Sequence, residues 1–413
     1  MEHDESLFRW DRVRRFTSPV WTVLLGTLLV RTTYFMAWPF LIVFLYQDYH
    51  AGAVFIGATL ALSATVGSFT GLYAGYLSDR FGRKVVMVVG ALIAIFSFGG
   101  IGLANQLWQF TLLVIGTGLM RPMIEAPAKS VIGDSLENKK DRELALNLRY
   151  FLINFGGAIG PLIGIGLALA HPQVLFLATG ASYLIYCVVL TVFLPSGRVS
   201  QTSDSELPNF AQTLRVISKD NLFIKMLVAN FLLMFIYGQI ESSLPQIIVR
   251  SGFDEAATWV SGLVLVNTVT VIIFQFPMLK LMERTSLFMR TRVGMSLVAL
   301  SQIVFLFASP EWPEGWYLAA FILALGEVIT FPTLGVQIDR LAPPHLRGSY
   351  FGAAALYSLG FAVAPVVGGV LIAWGGSVVL FGLCFIMSMV MMGLYWLAEH
   401  QPDSMVRDNP ASA

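Results

Sequence analysis

Six ionisable side chains lie inside long apolar stretches of this 413-residue sequence. They are Arg31, Arg121, Glu125, Arg149, Glu241 and Glu327. Burying one charge near the centre of a bilayer costs about 2.5 to 3.5 kcal/mol on insertion scales, so each must face water, a bound molecule or an opposite charge. Charges in such surroundings typically mark the paths of ions, protons or polar solutes.

Glu327 is the strongest candidate for proton chemistry among the six. It lies halfway along an apolar run, in the segment 325–332 with the sequence LGEVITFP. Desolvation at that depth lets a carboxyl group bind and release a proton near physiological pH. The alternative is a structural Glu327 whose carboxyl group is satisfied by a neighbouring Tyr or Gln.

The charges nearer the N-terminus leave two pairings open. Arg121 and Glu125 are four residues apart, so they share one face of a helix and can neutralise each other. Arg31 has no acidic residue in its own apolar run. It can therefore pair with Glu125 or meet an anionic group of a substrate.

Further polar side chains accompany these charges. Tyr150 and Asn154 follow Arg149, and Gln239 precedes Glu241. Glu241 is interpreted either as a second proton site or as an interfacial residue, and Glu125 is a third candidate for proton coupling. We expect the substrate cavity to be lined by Arg31, Arg121, Glu125, Arg149, Tyr150, Asn154, Gln239 and Glu327.

Composition places the chain in a membrane. It is 56% hydrophobic and 12% charged, which is more apolar surface than a water-soluble core can bury. A net charge of +1 leaves no basic face for nucleic acid. Cys187 and Cys384 both fall in apolar runs, so no disulfide framework or metal site is expected. The sequence has no Walker loop, zinc-ligand set or nucleophile with its base, which argues against an enzyme, against ATP-driven transport and against any cofactor other than a coupling proton.

Twelve apolar runs are long enough to span a bilayer, which predicts an all-α membrane protein. The first run is longer than the apolar region of a signal peptide and has no small-residue cleavage site, so we expect it to remain as a spanning helix. The predicted spans are 19–46, 52–78, 84–104, 107–134, 143–170, 174–195, 222–248, 257–281, 288–309, 315–339, 349–374 and 377–398.

Basic residues set the expected orientation. Nearly all of the 26 Lys and Arg residues, among them Lys129, Arg198 and Arg407, fall at cytoplasmic segments and helix ends if the N-terminus is cytoplasmic. We therefore expect both termini in the cytoplasm. Phe8 and Trp10 alternate with the arginines of the lead-in in a way that suits lipid headgroups; these arginines are Arg9, Arg12, Arg14 and Arg15.

An internal repeat divides the chain into halves. Asp79-Arg80 corresponds to Glu283-Arg284 at an offset of 204, and Asp134 corresponds to Asp339 at 205. A shared offset across several spans indicates a duplicated six-helix unit. The predicted organisation is a lead-in (1–18), a six-helix bundle (19–195), a polar linker (196–221), a second six-helix bundle (222–398) and a cytoplasmic tail (399–413).

A charged decapeptide, GYLSDRFGRK, occupies residues 75–84 between the second and third spans. Asp79 would lie at a helix C-terminus, where exposed carbonyls already carry partial negative charge, so it should interact with something outside its own helix. The segment resembles the loop between helices 2 and 3 of the major facilitator superfamily, with the pattern G-x-L-a-D-r-x-G-r-k. The resemblance implies a cytoplasmic latch between the two halves, formed here by Gly75, Asp79, Arg80, Gly82, Arg83 and Lys84.

The same resemblance extends over residues 19–398 and implies two pseudo-symmetric bundles around a central cavity lined by helices 1, 4, 7 and 10. Five of the six buried charges fall in those spans. Gly156, Gly160, Pro161 and Gly164 are similar to the antiporter motif of helix 5, although Ile165 replaces its last Gly. The Gly-Glu pair before Pro332 is similar to helix 10 of proton-coupled exporters.

The expected function is secondary transport by alternating access, specifically proton-coupled export of amphipathic small molecules or drugs across a bacterial cytoplasmic (inner) membrane by a monomer. Three basic residues in the first half and two carboxylates in the second also suit a zwitterion or organic anion. A symporter, or an exporter of a specific metabolite, peptide or siderophore, is therefore an alternative. A membrane receptor without transport activity is a second alternative, which needs neither buried charges nor a latch.

Overall fold

A computed structural model describes residues 6–47, 49–168, 172–196, 208–251 and 256–400, and nearly all of them are helical. The first part of the chain forms α1 (Trp10–Arg14), α2 (Ser18–Gln47), α3 (Ala53–Phe81), α4 (Arg83–Leu103), α5 (Leu107–Ser135), α6 (Lys139–Ala168) and α7 (Pro172–Phe193). The later part forms α8 (Phe210–Lys219), α9 (Asn221–Arg250), α10 (Ala256–Leu281), α11 (Leu287–Phe307), α12 (Glu314–Leu341), α13 (Arg347–Ala354) and α14 (Ser358–Glu399).

Eleven helical stretches in the described ranges are long and apolar enough to cross a membrane, and the last one contains two predicted spans. In α14 the backbone leaves helical geometry at Gly375 and Gly376, where Gly376 has φ 67°. That left-handed conformation costs glycine little because glycine has no Cβ. The break lies between the predicted spans 349–374 and 377–398, so the prediction of an all-α membrane protein with twelve apolar spans is confirmed.

The chain divides into two compact units. The first comprises Met1–Arg215 and Ala342–Leu356, and the second comprises Val216–Leu341 and Tyr357–Ala413. The predicted linker and tail lie partly outside the described residues, at 197–207 and 401–413, as do Arg198 and Arg407. In the first unit α2 packs on α6 and α7, α3 on α5, and α4 on α5 and α7. In the second, α9 packs on α14, α10 on α12, and α11 on α12 and α14.

One arginine of the lead-in is buried inside the protein and does not face outward as the others do. Arg12 is 2% exposed, and its guanidinium donates to Asp141 of α6 at 2.6 Å. The pairing explains the difference, because a buried carboxylate needs a cation close by. Arg9, Trp10, Arg14 and Arg15 are exposed.

Helix α8 lies inside the segment that the sequence analysis assigned to a linker. The Phe210 ring contacts Tyr73 and Tyr76 of α3 edge-on, with both centroid distances 5.3 Å. Thr213 is 1% exposed and lines a small pocket together with Asp79 and Ser349. The start of α8 is thus packed against the decapeptide 75–84.

Candidate functional site

Glu125 joins three helices of the first unit through two ion pairs. Its Oε1 accepts a hydrogen bond from Arg31 of α2, and its Oε2 accepts one from Arg149 of α6 at 2.5 Å. Arg31 and Arg149 are 6% and 3% exposed. Buried cations need such partners, so this triad accounts for three of the six predicted charges.

Arg121 is left out of the triad. Among the described residues Arg121 makes no ion pair with Glu125, the pairing considered from their spacing; the two oxygens of Glu125 accept from Arg31 and Arg149 instead. Arg121 is exposed, and the described residues contain no hydrogen bond or ion pair to its guanidinium. It lines a pocket with Arg31, Glu125, Tyr34 and four other residues, namely Val30, Met120, Ile124 and Tyr183.

Lys129 adds a fourth cation that the sequence analysis had assigned to the cytoplasmic end of its span. It lies one turn beyond Glu125 on α5 and interacts electrostatically with Glu125, Arg149, Arg31 and Arg121. Its ammonium lies 5.6 Å from the centre of the Phe351 ring. The spacing of four residues from Glu125 was a signal that could have identified it.

Tyr150 and Asn154, predicted to line a cavity, are partly exposed residues of α6. The Asn154 amide donates to the Tyr150 carbonyl oxygen at 3.0 Å. This bond lies within one helix, so it positions the Asn154 side chain without joining α6 to another element. Neither residue lines the pocket beside Arg121.

Glu327 of α12 lies in a polar cluster in the second unit. The Asn267 amide of α10 donates to Glu327 Oε2 at 2.8 Å, and the Tyr237 hydroxyl of α9 is hydrogen-bonded with both Glu327 and Asn267. Glu327 is 5% exposed. The Tyr237 ring is held edge-on against Phe331 at 5.4 Å. A buried carboxylate is thus surrounded by neutral hydrogen-bonding groups on two other helices.

The two other candidates on α9 lie in different surroundings. Glu241 is exposed, one turn beyond Tyr237, and interacts electrostatically with Glu327. Gln239 is fully buried, and its amide donates to the Ala364 carbonyl oxygen of α14 at 3.1 Å. Its Oε1 accepts from Ser243 at 2.6 Å. Gln239 was predicted to line the cavity, but here it lies inside the packing of α9 on α14, where its hydrogen bonds are satisfied.

The glycine motif that resembles the antiporter motif belongs to α6, and it lies along the contact of α6 with α2. A Cβ on Gly160 would approach the Thr32 carbonyl oxygen to 2.5 Å, and one on Gly164 would approach the Met36 carbonyl oxygen equally closely. Gly156 lies beside Thr32 in the same way. Glycine at these positions lets the two backbones touch. Pro161 lies within the same helix.

Asp79 interacts outside its own helix, in agreement with the expectation from its position. Its carboxylate accepts hydrogen bonds from the amides of Gly348 and Ser349 at 2.9 and 2.7 Å, and from the Ser349 hydroxyl at 2.6 Å. These amides belong to the first turn of α13, where unpaired N–H groups and the helix dipole favour an anion.

Arg83 links Asp79 of α3 to Asp134 of α5. It pairs with Asp79 and also donates through Nε to Asp134 at 3.0 Å. The other oxygen of Asp134 accepts from Arg347 at 2.5 Å. Alternating charges on α3, α4, α5 and α13 therefore meet around the start of α13.

Glycines bring α3 and α13 into backbone contact beneath this network. A Cβ on Gly75 would collide with Gly348, and one on Gly352 would collide with the Gly71 carbonyl oxygen. Each helix presents two glycines four residues apart, Gly71 and Gly75 on α3 and Gly348 and Gly352 on α13. The two helices therefore approach each other through the backbones of these glycines.

The remaining decapeptide residues have separate partners. Gly82 joins α3 to α4 with φ 96°, a conformation that disfavours residues with a Cβ. Arg80 donates to the Tyr76 hydroxyl at 2.7 Å. Lys84 donates to the Thr191 carbonyl oxygen at 2.7 Å, so it contacts the end of α7.

Comparisons with known proteins agree with this architecture. Residues 23–358 match the family model described as Major Facilitator Superfamily. An uncharacterized MFS-type transporter, YqjV of Bacillus subtilis, is 30% identical over 92% of both chains. The multidrug resistance protein MdtH of Photorhabdus laumondii is 26% identical over 84% of this chain and 85% of its own.

A solved structure shows the same fold. The human organic anion transporter MFSD10 superimposes with a TM-score of 0.75 at 15% identity, covering 92% of this chain and 99% of its own. The match of the family model over most of the chain, the 30% identical relative and the common fold lead to one conclusion. The chain belongs to the major facilitator superfamily and is a multi-pass membrane transporter, not an enzyme.

Proposed function

We propose that the chain is a proton-coupled exporter of amphipathic small molecules, that it works by alternating access, and that Glu327 is its proton site. The observation that carries the proposal is the burial of the Glu327 carboxyl group against the Asn267 amide and the Tyr237 hydroxyl. Neutral donors can bond to an ionised carboxylate and can rearrange around a protonated one. A proton can therefore be gained and lost there without leaving a buried cation unpaired.

Glu125 has a different role in this proposal. Protonating it would leave Arg31 and Arg149 without their carboxylate, and an uncompensated buried charge is strongly destabilising. Although Glu125 was a candidate for proton coupling, its two ion pairs suit a fixed scaffold. Glu241, which is exposed and electrostatically linked to Glu327, is the better second proton site.

Export is favoured over import by two observations. The glycines of the helix 5 motif line the contact of α6 with α2, and one relative is named a multidrug resistance protein. The alternative is a symporter or an exporter of a specific zwitterionic or anionic metabolite, peptide or siderophore. The direction of proton-driven accumulation separates these alternatives.

The test is proton movement in proteoliposomes that carry an imposed pH gradient. A panel of cationic, zwitterionic and anionic amphipaths is added to wild type, to Glu327→Gln and to Glu311→Gln, a matched control on the exposed loop before α12. We expect some compounds to collapse the gradient through wild type and the control but not through Glu327→Gln. Equal proton movement through Glu327→Gln would exclude Glu327 as the coupling site.

The remaining elements of the proposal concern placement. We place the protein in a bacterial cytoplasmic membrane with both termini in the cytoplasm, acting as a monomer. The Asp79 network is proposed to be the cytoplasmic latch, which opens and closes with the transport cycle. Asp79→Asn that expresses normally but abolishes solute flux would support this role and would also argue against a non-transporting receptor.

A further inference from the structure

The pocket beside Arg121 in the first unit combines a charged wall with an aromatic wall. Arg31, Arg121 and Glu125 are its charged lining residues, and Tyr34 and Tyr183 are its aromatic ones. The Arg31 guanidinium lies over the Tyr34 ring at 5.8 Å from its centre. An aromatic ring beside a guanidinium can stack on a planar apolar group while the guanidinium binds an acidic one.

The charge balance of this pocket is positive. Beside Arg31 and Arg121, Lys129 lies close enough to interact electrostatically with both of them, with Arg149 and with Glu125, and Glu125 is the single carboxylate among the groups that act on Lys129. Glu125 uses Oε1 for Arg31 and Oε2 for Arg149. Glu125 also attracts Arg121 at longer range, but among the described residues no hydrogen bond or ion pair joins the two.

Arg121 is consequently the cation available to a ligand. It is exposed within the unit and lies one helical turn before Glu125, which places its guanidinium beside the pocket. The guanidinium groups of Arg31 and Arg149 are bound to Glu125 instead. A guanidinium presents a planar fork of donors that matches a carboxylate or sulfonate bidentately. A cationic ligand here would meet uncompensated positive charge.

We propose that the transported substrate is an organic anion, or a zwitterion that leads with its acidic group, and that Arg121 binds that group directly. Arg31 and Arg149, held by Glu125, are positioning residues that shape the pocket. This inference names the substrate class of the proposed exporter and therefore rests on the proposed function. It does not depend on which residue carries the proton.

The experiment measures equilibrium binding by the full chain in detergent, without a proton gradient. Four probes share a naphthalene ring: naphthylacetate, its neutral amide, naphthylethylamine and the zwitterion naphthylalanine. Isothermal titration gives their dissociation constants for wild type, Arg121→Gln, Arg121→Lys and Arg14→Gln, a control on an exposed arginine of α1. The melting temperature of each variant without ligand verifies that it is folded.

We expect naphthylacetate to bind wild type more tightly than the amide and the amine. Arg121→Gln should weaken naphthylacetate at least tenfold and leave the amide unchanged, because the lost contact is with the acidic group. Arg121→Lys should restore part of the affinity, since it keeps the charge but not the fork. Arg14→Gln should behave as wild type.

Three results would overturn the proposal: tighter binding of the amine than of naphthylacetate, unchanged naphthylacetate affinity in Arg121→Gln, or no saturable binding of any probe to wild type. Failure of the proposed function is recognised separately. If naphthylacetate binds through Arg121 but no compound moves protons through wild type, the anion site stands and proton coupling is wrong. If cations drive proton exchange through Glu327 without dependence on Arg121, proton coupling stands and the anion site is wrong.

Discussion

Asp79→Asn should release α13 from α3. The Asp79 carboxylate accepts from the amides of Gly348 and Ser349 and from the Ser349 hydroxyl, at 2.9, 2.7 and 2.6 Å. Asparagine has the same size but only one acceptor oxygen and no charge. At least one of these buried donors must therefore lose its partner.

The size of the effect follows from these contacts. A buried donor without a partner costs about 1 to 3 kcal/mol, and the remaining bonds fall to roughly half strength once the acceptor is neutral. Removing the anion from the start of α13 costs about 0.3 to 1 kcal/mol more. Together these terms amount to about 3 kcal/mol, which is roughly a 100-fold change in the docking equilibrium of α13.

Hydrogen–deuterium exchange of peptides that cover residues 344–354 measures this equilibrium. The amides of Gly348 and Ser349 are themselves the donors, so their exchange in Asp79→Asn should accelerate by roughly two orders of magnitude. Asp141→Asn is the matched control, because it removes a carboxylate that binds Arg12 of α1 instead. If α13 exchanges at the wild-type rate in folded Asp79→Asn, the carboxylate does not hold this helix.

Two further predictions concern packing. Gly160→Ala should lower the melting temperature in detergent by several degrees, because its Cβ would meet the Thr32 carbonyl oxygen at a cost of about 1 to 3 kcal/mol. Gly369→Ala is the control and should leave the melting temperature unchanged, because a Cβ there has open space. Equal melting temperatures of the two variants would argue against close contact of α6 with α2. Arg12→Gln should release α1 from α6, because breaking a buried ion pair costs about 3 to 5 kcal/mol. Trypsin should then cleave the chain before α2 faster than in wild type. An unchanged cleavage rate would mean that the pair with Asp141 does not hold α1.

Hydropathy alone predicted the spans because a bilayer-crossing helix needs about 20 apolar residues. Hydropathy did not predict the short helix in the linker. The linker was expected to be polar, yet Phe210 and Thr213 belong to a short helix packed on α3. Ten residues of mixed polar and apolar character are too few to register as a span, and their packing surface is supplied by residues distant in sequence.

The candidate charges were found from sequence because a buried ionisable residue is conspicuous in an apolar run. Their partners were not. Nothing in the spacing of Glu125 selects Arg31 and Arg149 over Arg121, because that choice depends on how α2 and α6 are placed beside α5. Asn267 and Tyr237 were missed because neither is charged, although Asn267 is one of only two side-chain amides within its apolar run.

The paired glycines of α3 and α13 make their contact specific in register. A slide of α13 by one residue would bring Ser349 or Ala353 to places now occupied by Gly348 and Gly352, and a Cβ at either place would overlap the backbone or side chains of α3. Intermediate positions are therefore sterically closed. Residues 347–354 can pack against α3 or detach from it, but they cannot slide gradually along it. Motion in this region should therefore proceed in discrete steps.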